Sequence, residues 1–446
     1  MKKIVGAVIL ALVVIVCGVT LFLNLSHKNN GSQASNTQET SGSNTTDSSK
    51  LKVGVILPGD ETDSYSHSQI VGMKKMAEEL NIPEKDIIWK IKVKNNDDYK
   101  SAVSDLSSKG CSYVVVTNDR LENAVIDNAT EYENMNFVFV GGTSAKISKL
   151  KNVYDVALRE YEARYVSGVV AGLKIKELAE ANALQPESLD NDNNVRIGYV
   201  GSFKDAKTIS GYTAFFLGAK SVYPQITMEL QYVDGKNKID AEATSAQLLM
   251  SRGSVIVAYD TDSHSIPAMV QMQKDGGKPA FCISSDENLS EDAKTAQLAA
   301  VEDQWSVVYK DIFSKVLNGE KLDRDKSYGY AEGALLVSDF SEEAAPNTKE
   351  TVDSLEQQFK EGTIKVFDTS KFTVGGKALS KATIDLSYYK SDDDEEALFK
   401  GKSKNAIVSE NGITYFAESK FRAAPYFNYV VDGVVELEVS EPNPKE

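Results

Sequence analysis

Cysteine, histidine and tryptophan are scarce in this chain, with three, three and two copies in 446 residues. Cys17, Cys111 and Cys282 share no close spacing, so they form neither a metal knuckle nor a dithiol redox pair, and no metal or other cofactor is expected. Cys111 and Cys282 sit in strand-like apolar stretches and read as buried hydrophobes, with a Cys111–Cys282 bridge as the alternative. His27, His67 and His264 are the only histidines, and no Ser or Cys has an obvious base partner, which argues against nucleophilic catalysis. His67 reads as a solvated turn residue rather than a general base. Positive charge is also short, with 49 Lys and Arg against 65 Asp and Glu and a net charge of -16. A field of that sign repels phosphate backbones and sets nucleic acid aside as a partner. Hydrophobic residues make up 41%, too few for a polytopic membrane protein. No motif recurs at the period of roughly 20–50 residues that marks solenoids.

One long apolar run does exist. Lys2 and Lys3 precede residues 4–25 (IVGAVILALVVIVCGVTLFLNL), enough to span a hydrocarbon core. Basic residues at its start keep that end cytoplasmic, which puts the remainder on the extracellular side of the cell membrane. Val16 precedes Cys17 and the apolar run continues past it, so an uncleaved anchor over 1–25 is favoured over a lipidated Cys17. Residues 26–50 are almost wholly Ser, Thr, Asn, Gln and Gly and form a flexible stalk.

From Leu51 onward the composition is that of a folded protein. Apolar runs LKVGVIL, SYVVVTN (112–118), NFVFVGG (136–142) and NVYDVAL (152–158) alternate with helical patterns such as Met73, Met76, Ala77 and Leu80. The pattern restarts at VRIGYVGSF (195–203), followed by ITMELQYVD, SVIVAYD and PAFCISSD. Continuous apolar strands alternating with helices predict an α/β protein with two doubly wound lobes and parallel sheets covered on both faces. The expected division is 51–160 with 290–340 for the first lobe, 161–289 for the second, and 341–446 for a C-terminal segment packing on both. Residues 180–194 read as an exposed insertion between lobes, VFDTSKFTVGGKAL as strands around a Gly375-Gly376 turn, and the acidic run 391–396 as a solvated turn.

In open parallel sheets, ligands bind beyond the carboxyl ends of the strands. Applied here, that rule collects Asp60 to Tyr65, Asn118-Asp119, Gly141-Gly142, Ser202-Phe203, Asp260 to Ser263, Ser284 to Asp286, Glu302-Asp303 and Trp305. The set holds three large aromatics, Tyr65, Phe203 and Trp305, with many carboxylates and hydroxyls and no arginine or lysine poised for an anion. Aromatic faces suit a flat heterocycle, and an ionised Asp accepts from two neighbouring hydroxyls, so stacking plus polyol recognition describes a nucleoside. Each residue also has a duller reading, an aromatic as lobe packing and a carboxylate as a helix cap.

The stretch RIGYVGSFKDAKTISGYTAFFLGAKSVYP (196–224) resembles the second-lobe opening of the basic membrane protein family, substrate-binding proteins of ABC importers that include purine-nucleoside receptors. EARYVSGVVAGLK (162–174), DTDSHSIPAMV (260–270), ISSDENLS (283–290), VEDQWSVVY (301–309), GTIKVFDTSKFTVGGKAL (362–379) and YVVDGV (429–434) resemble further family segments in order. The resemblance implies the two-lobed periplasmic-binding fold with three crossings between lobes, an ABC permease as partner, and no catalysis. By position it implies Tyr65 stacking on a base, Phe203 opposing it, Asp286 gripping ribose hydroxyls, and Asp262, Ser263 and Trp305 in pocket segments. Ser66 follows Tyr65 where many relatives have Asn, and Glu302 falls near a position where some have lysine. The expected ligand-binding set is therefore Tyr65, Ser66, Asn118, Phe203, Asp262, Ser263, Asp286 and Trp305.

Three functions follow for testing: a nucleoside receptor feeding an importer, a membrane-anchored sensor without a transporter, and a nucleoside-cleaving enzyme. Asp260-Thr261-Asp262 superficially resembles the start of the calcium-binding cluster of nucleoside hydrolases, but Ser263 and His264 follow where further aspartates would be needed.

Overall fold

The computed structural model describes residues 51–285, 292–391 and 393–437. The expected anchor over 4–25, the stalk, Cys17, Asp286 and Asp392 lie outside them. Among the described residues no helix is long and apolar enough to cross a membrane.

The first run of the chain forms β1 (Val53–Ile56), α1 (Ser64–Glu79), β2 (Ile87–Lys90), α2 (Asn96–Ser108), β3 (Tyr113–Val116), α3 (Glu122–Glu131), β4 (Asn136–Val140) and β5 (Val153–Leu158). The second forms α4 (Glu160–Glu180), β6 (Val195–Gly201), α5 (Ala206–Val222), β7 (Ile226–Tyr232), α6 (Ile239–Ser251), β8 (Ile256–Tyr259), α7 (Ser265–Asp275), β9 (Phe281–Ser285) and β10 (Gln297–Asp303). Then come α8 (Trp305–Leu317), β11 (Asp325–Tyr328), β12 (Leu335–Ser338) and α9 (Thr348–Lys360).

Two sheets result. The first has the order β11-β5-β4-β3-β1-β2 and is parallel throughout. The second runs β12-β10-β9-β8-β6-β7 and ends on the strand Val434–Glu436, with only β12 antiparallel to its neighbour. Strand periodicity explains why both faces are covered. In the first sheet Val115 and Val138 join the cluster that contains Met73 and Met76 of α1. Val114, Val116, Phe137 and Phe139 point the other way, into a cluster with Val103, Leu106 and Val125. The second sheet repeats this, with Ile197 and Ile283 on one side and Val200, Val257 and Cys282 on the other. Cys111 and Cys282 are free and buried, as hydrophobes, which removes the bridge alternative.

The chain crosses between sheets three times: from β5 into α4, from β10 through α8 to β11, and from β11 to β12. Arg159 ties two of these crossings together. Its guanidinium pairs with Glu162 at 2.6 Å and Glu332 at 2.7 Å and donates to the Ser327 carbonyl at 3.1 Å.

The division of the chain differs from the expected one in two places. β10, expected in the first lobe with 290–340, hydrogen-bonds to β9 and belongs to the second sheet, as does β12. Its uncharged small-residue run (QLAAV) fits between two strands, where it is buried. Only α8, which packs on α1, and β11 return to the first lobe. Residues 180–194 do not lie between lobes; they link α4 to β6 inside the second, and Leu189 bridges Val195. The Gly375-Gly376 turn does form, closed by a Val374–Lys377 bridge with both glycines at positive φ, where a side chain would be strained. The C-terminal segment touches both lobes. Phe359 of α9 packs edge-on against Tyr165 of α4, while Tyr388 Oη donates to Asn123 of α3 at 2.8 Å.

Candidate functional site

The loops that leave the carboxyl ends of both sheets meet in a cleft of about 460 Å³, within the range of about 300–1,000 Å³ usual for small-molecule sites. The first lobe supplies the turn after β1 and the start of α1. Asp63 caps that helix, accepting from the Ser66 amide at 2.7 Å. The cap aims Tyr65 into the cleft, and its hydroxyl donates to the Thr117 carbonyl at the end of β3 at 2.9 Å. Burial pushes the Tyr65 phenol well up, so it stays a neutral donor. Asn118 lines the same wall; its amide donates to the Val93 carbonyl at 3.2 Å.

The second lobe supplies Phe203 after β6, Lys207 at the start of α5, Lys236 after β7 and Asp262 after β8. Lys236 pairs with Asp262 at 3.4 Å and Lys207 with Glu160 at 3.0 Å. Burial, the largest single influence, opposes the charge on Lys207, but the summed attraction of its neighbours, Glu160 foremost, exceeds it and raises the pKa well above the ordinary value. Both ammonium groups face the Tyr65 ring, Lys236 at 5.0 Å and Lys207 at 5.9 Å from its centre. Across the cleft, the Arg120 guanidinium of the first lobe lies 3.9 Å from the Phe203 ring centre and 3.5 Å from Asp205. Burial, set against the Thr208 amide bond, holds Asp205 above its usual value.

The structure therefore brings Tyr65, Asn118, Phe203 and Asp262 to one cavity. Ser66 is buried directly behind it, its hydroxyl accepting from the Gly59 amide at 3.1 Å and so fixing the turn rather than facing the cavity. Ser263 lies beneath the floor, donating to the Glu242 carboxylate and sharing a bond with Ser265 at 2.7 Å. Trp305, expected in the pocket, is not there. It is 2% exposed, stacked on Tyr309 at 5.9 Å, with its Cβ set against Gly72 of α1, so it packs α8 to α1. Asp286 falls outside the described residues. Asp260, the first residue of the hydrolase-like triplet, is engaged by the Thr208 hydroxyl at 2.6 Å and the Ser202 amide at 2.7 Å.

The expected lack of bases is overturned. Lys92, Lys94, Arg120, Lys207 and Lys236 line the cavity beside Asp60, Asp63, Asp119 and Asp262. Lys92 and Lys94 follow β2, whose short IIWK run ends in a lysine and carries little strand signal, and Lys236 follows β7, whose exit loop the strand-end rule also covers. Among the described residues no cluster of His, Cys, Asp and Glu has the form of a metal site.

A family model described as ABC transporter substrate-binding protein PnrA-like matches residues 50–370. A purine-binding protein of Brucella abortus is 27% identical over 350 residues, covering 76% of this chain and 92% of the relative. A transcriptional activator protein of Bacillus subtilis is 21% identical over 294 residues, covering 65% of this chain and 82% of the relative. Among solved structures, an ABC transporter solute-binding protein from Aeropyrum pernix superposes with a TM-score of 0.58 at 15% identity, covering 71% of this chain and 93% of the other. A transcriptional activator of the comK gene from Bacillus halodurans gives 0.56 at 15% identity, covering 70% and 99%. Both structures share the two-lobed α/β fold.

Proposed function

The chain belongs to the Bmp family of PnrA-like ABC transporter substrate-binding proteins, and on that premise we propose that it captures a purine nucleoside between its lobes, outside the cell, and hands it to an ABC permease. The observation that carries this reading is the pairing of Tyr65 and Phe203, aromatic side chains from opposite lobes that line one cavity. Stacking on such faces contributes about 1–3 kcal/mol per base. Asn118 and Asp119 on the same walls offer acceptors to sugar hydroxyls, and Asp286 is proposed to join them. The purine-binding relative supports the base class. Binding closes the lobes and breaks no bond of the ligand. Anchoring through residues 4–25 belongs to the same reading.

Titration calorimetry with guanosine, inosine, adenosine, cytidine and uridine tests it. Saturable heat with the purine nucleosides is expected, and silence from a folded protein across the panel would refute it. Incubation with inosine should release no hypoxanthine.

A second reading has its own support. Similarity to transcriptional activators fits a membrane-tethered sensor that uses the same cleft without a transporter. Nucleoside uptake by cells lacking this chain separates the two: uptake falls if it feeds a permease and is unchanged if it only senses.

A further inference from the structure

We propose that the cleft selects 6-oxopurine nucleosides over 6-aminopurine ones, through Lys207, Lys236 and Asp262. This rests on the nucleoside reading above and specifies the base it takes. Two ammonium groups face the Tyr65 ring, at 5.0 Å for Lys236 and 5.9 Å for Lys207. A heterocycle stacked on Tyr65 would set its rim beside both, and each ammonium, with three N–H groups and one carboxylate partner at its side, has a donor to direct at an acceptor there and no acceptor of its own.

Lys236 pairs with Asp262 at 3.4 Å and Lys207 with Glu160 at 3.0 Å, which sets an acceptor beside Lys236. The wall therefore offers two donors and, next to Lys236, an acceptor. A 6-oxopurine presents N7, O6 and N1–H in sequence, which is acceptor, acceptor, donor. A 6-aminopurine presents N7, an amino group and N1, so its second and third positions both clash with the wall. Lys207 stays charged beside Glu160, so it remains a donor and never an acceptor at neutral pH.

Calorimetry with guanosine, inosine, adenosine and 7-deazaguanosine on the full extracellular chain tests this. Guanosine and inosine should bind about tenfold or more tighter than adenosine, the least expected when at least one edge contact is mismatched. Replacing N7 by a C–H in 7-deazaguanosine should cost several-fold on the unaltered protein, which keeps the test independent of any variant's folding. Lys236→Met should narrow the guanosine-to-adenosine ratio towards one, and Lys236→Arg should retain it. Equal affinity for adenosine, or a preference that survives Lys236→Met, overturns the base assignment and leaves nucleoside binding standing. Silence with all four overturns both.

Discussion

The guanidinium of Arg120 and the ring of Phe203 lie 3.9 Å apart, and they belong to different lobes. Arg120 also reaches Asp205 of the second lobe at 3.5 Å, so one first-lobe side chain makes two contacts across the cleft. Both ends of the ion pair are about half exposed, which limits it to about 0–1 kcal/mol, and a solvated cation–π contact adds about 0.5–1 kcal/mol. Together these bias the lobes towards closure without deciding the fold. Arg120→Ala should raise the radius of gyration of the ligand-free protein in small-angle scattering while leaving its urea midpoint nearly unchanged. An unaltered scattering profile would show that this contact does not hold the lobes together.

Tyr65 carries two separable roles. Its ring faces the cleft, and its hydroxyl donates to the Thr117 carbonyl. Tyr65→Phe removes only the hydrogen bond, which should cost about 1 kcal/mol of folding stability and leave guanosine affinity within a few-fold. Tyr65→Ala removes the stacking face, and affinity should fall about tenfold or more. Calorimetry and urea unfolding on both variants check this; equal loss of affinity in the two would assign binding to the hydroxyl instead.

What the sequence reveals here follows burial. Strands such as VYDVAL and VRIGYVG are long enough and apolar enough to announce themselves, and with them the two wound lobes. β2 is short and ends in Lys90, so it is hidden, and the cleft lysines that follow it are hidden too. The strand Val434–Glu436 lies about 200 residues from its partner β7, and nothing local marks such a pairing. Trp305 shows the opposite failure: an aromatic just after a strand end satisfies the pocket rule, yet its orientation is set by Gly72 on another helix, which only the fold brings near. Position along a strand is legible; the direction a side chain takes between two helices is not.

The close crossing of α4 and α5 depends on glycine, most tightly at two points. A Cβ at Gly168 would stand 2.0 Å from the Phe215 carbonyl oxygen, and one at Gly218 equally close to that of Tyr165. Backbone atoms in packed helices cannot step aside as a flexible side chain would. Gly168→Ala should therefore destabilise the protein by about 1–3 kcal/mol or more, despite the gain in helix propensity that Ala brings. Gly211→Ala, on the same helix as Gly218 but with its nearest atoms at 3.7 Å, is the control and should be neutral or mildly stabilising. Urea unfolding of the two variants decides it, and equal midpoints would remove the close-packing argument.

Glu418 supplies the pH dependence that the structure makes most specific. It is buried, and one carboxyl oxygen accepts from the Tyr426 amide at 3.1 Å and the Phe427 amide at 3.2 Å. Burial pushes its pKa up to about 7, more than these hydrogen bonds pull it down. With the folded value above the unfolded one, the folded state holds a proton that the unfolded chain has released. The resulting stability is complete below about pH 4.5, declines as pH rises through about 7, and is gone above it; the whole effect is on the order of 3 kcal/mol. Glu418→Gln keeps an oxygen for both amides and cannot ionise. Its stability relative to the unaltered protein should rise between pH 5 and pH 8 and level off beyond, since every other titrating group is common to both. Urea midpoints at those two pH values measure the difference directly, and a gap that does not change with pH would mean that Glu418 ionises as an ordinary surface carboxylate does.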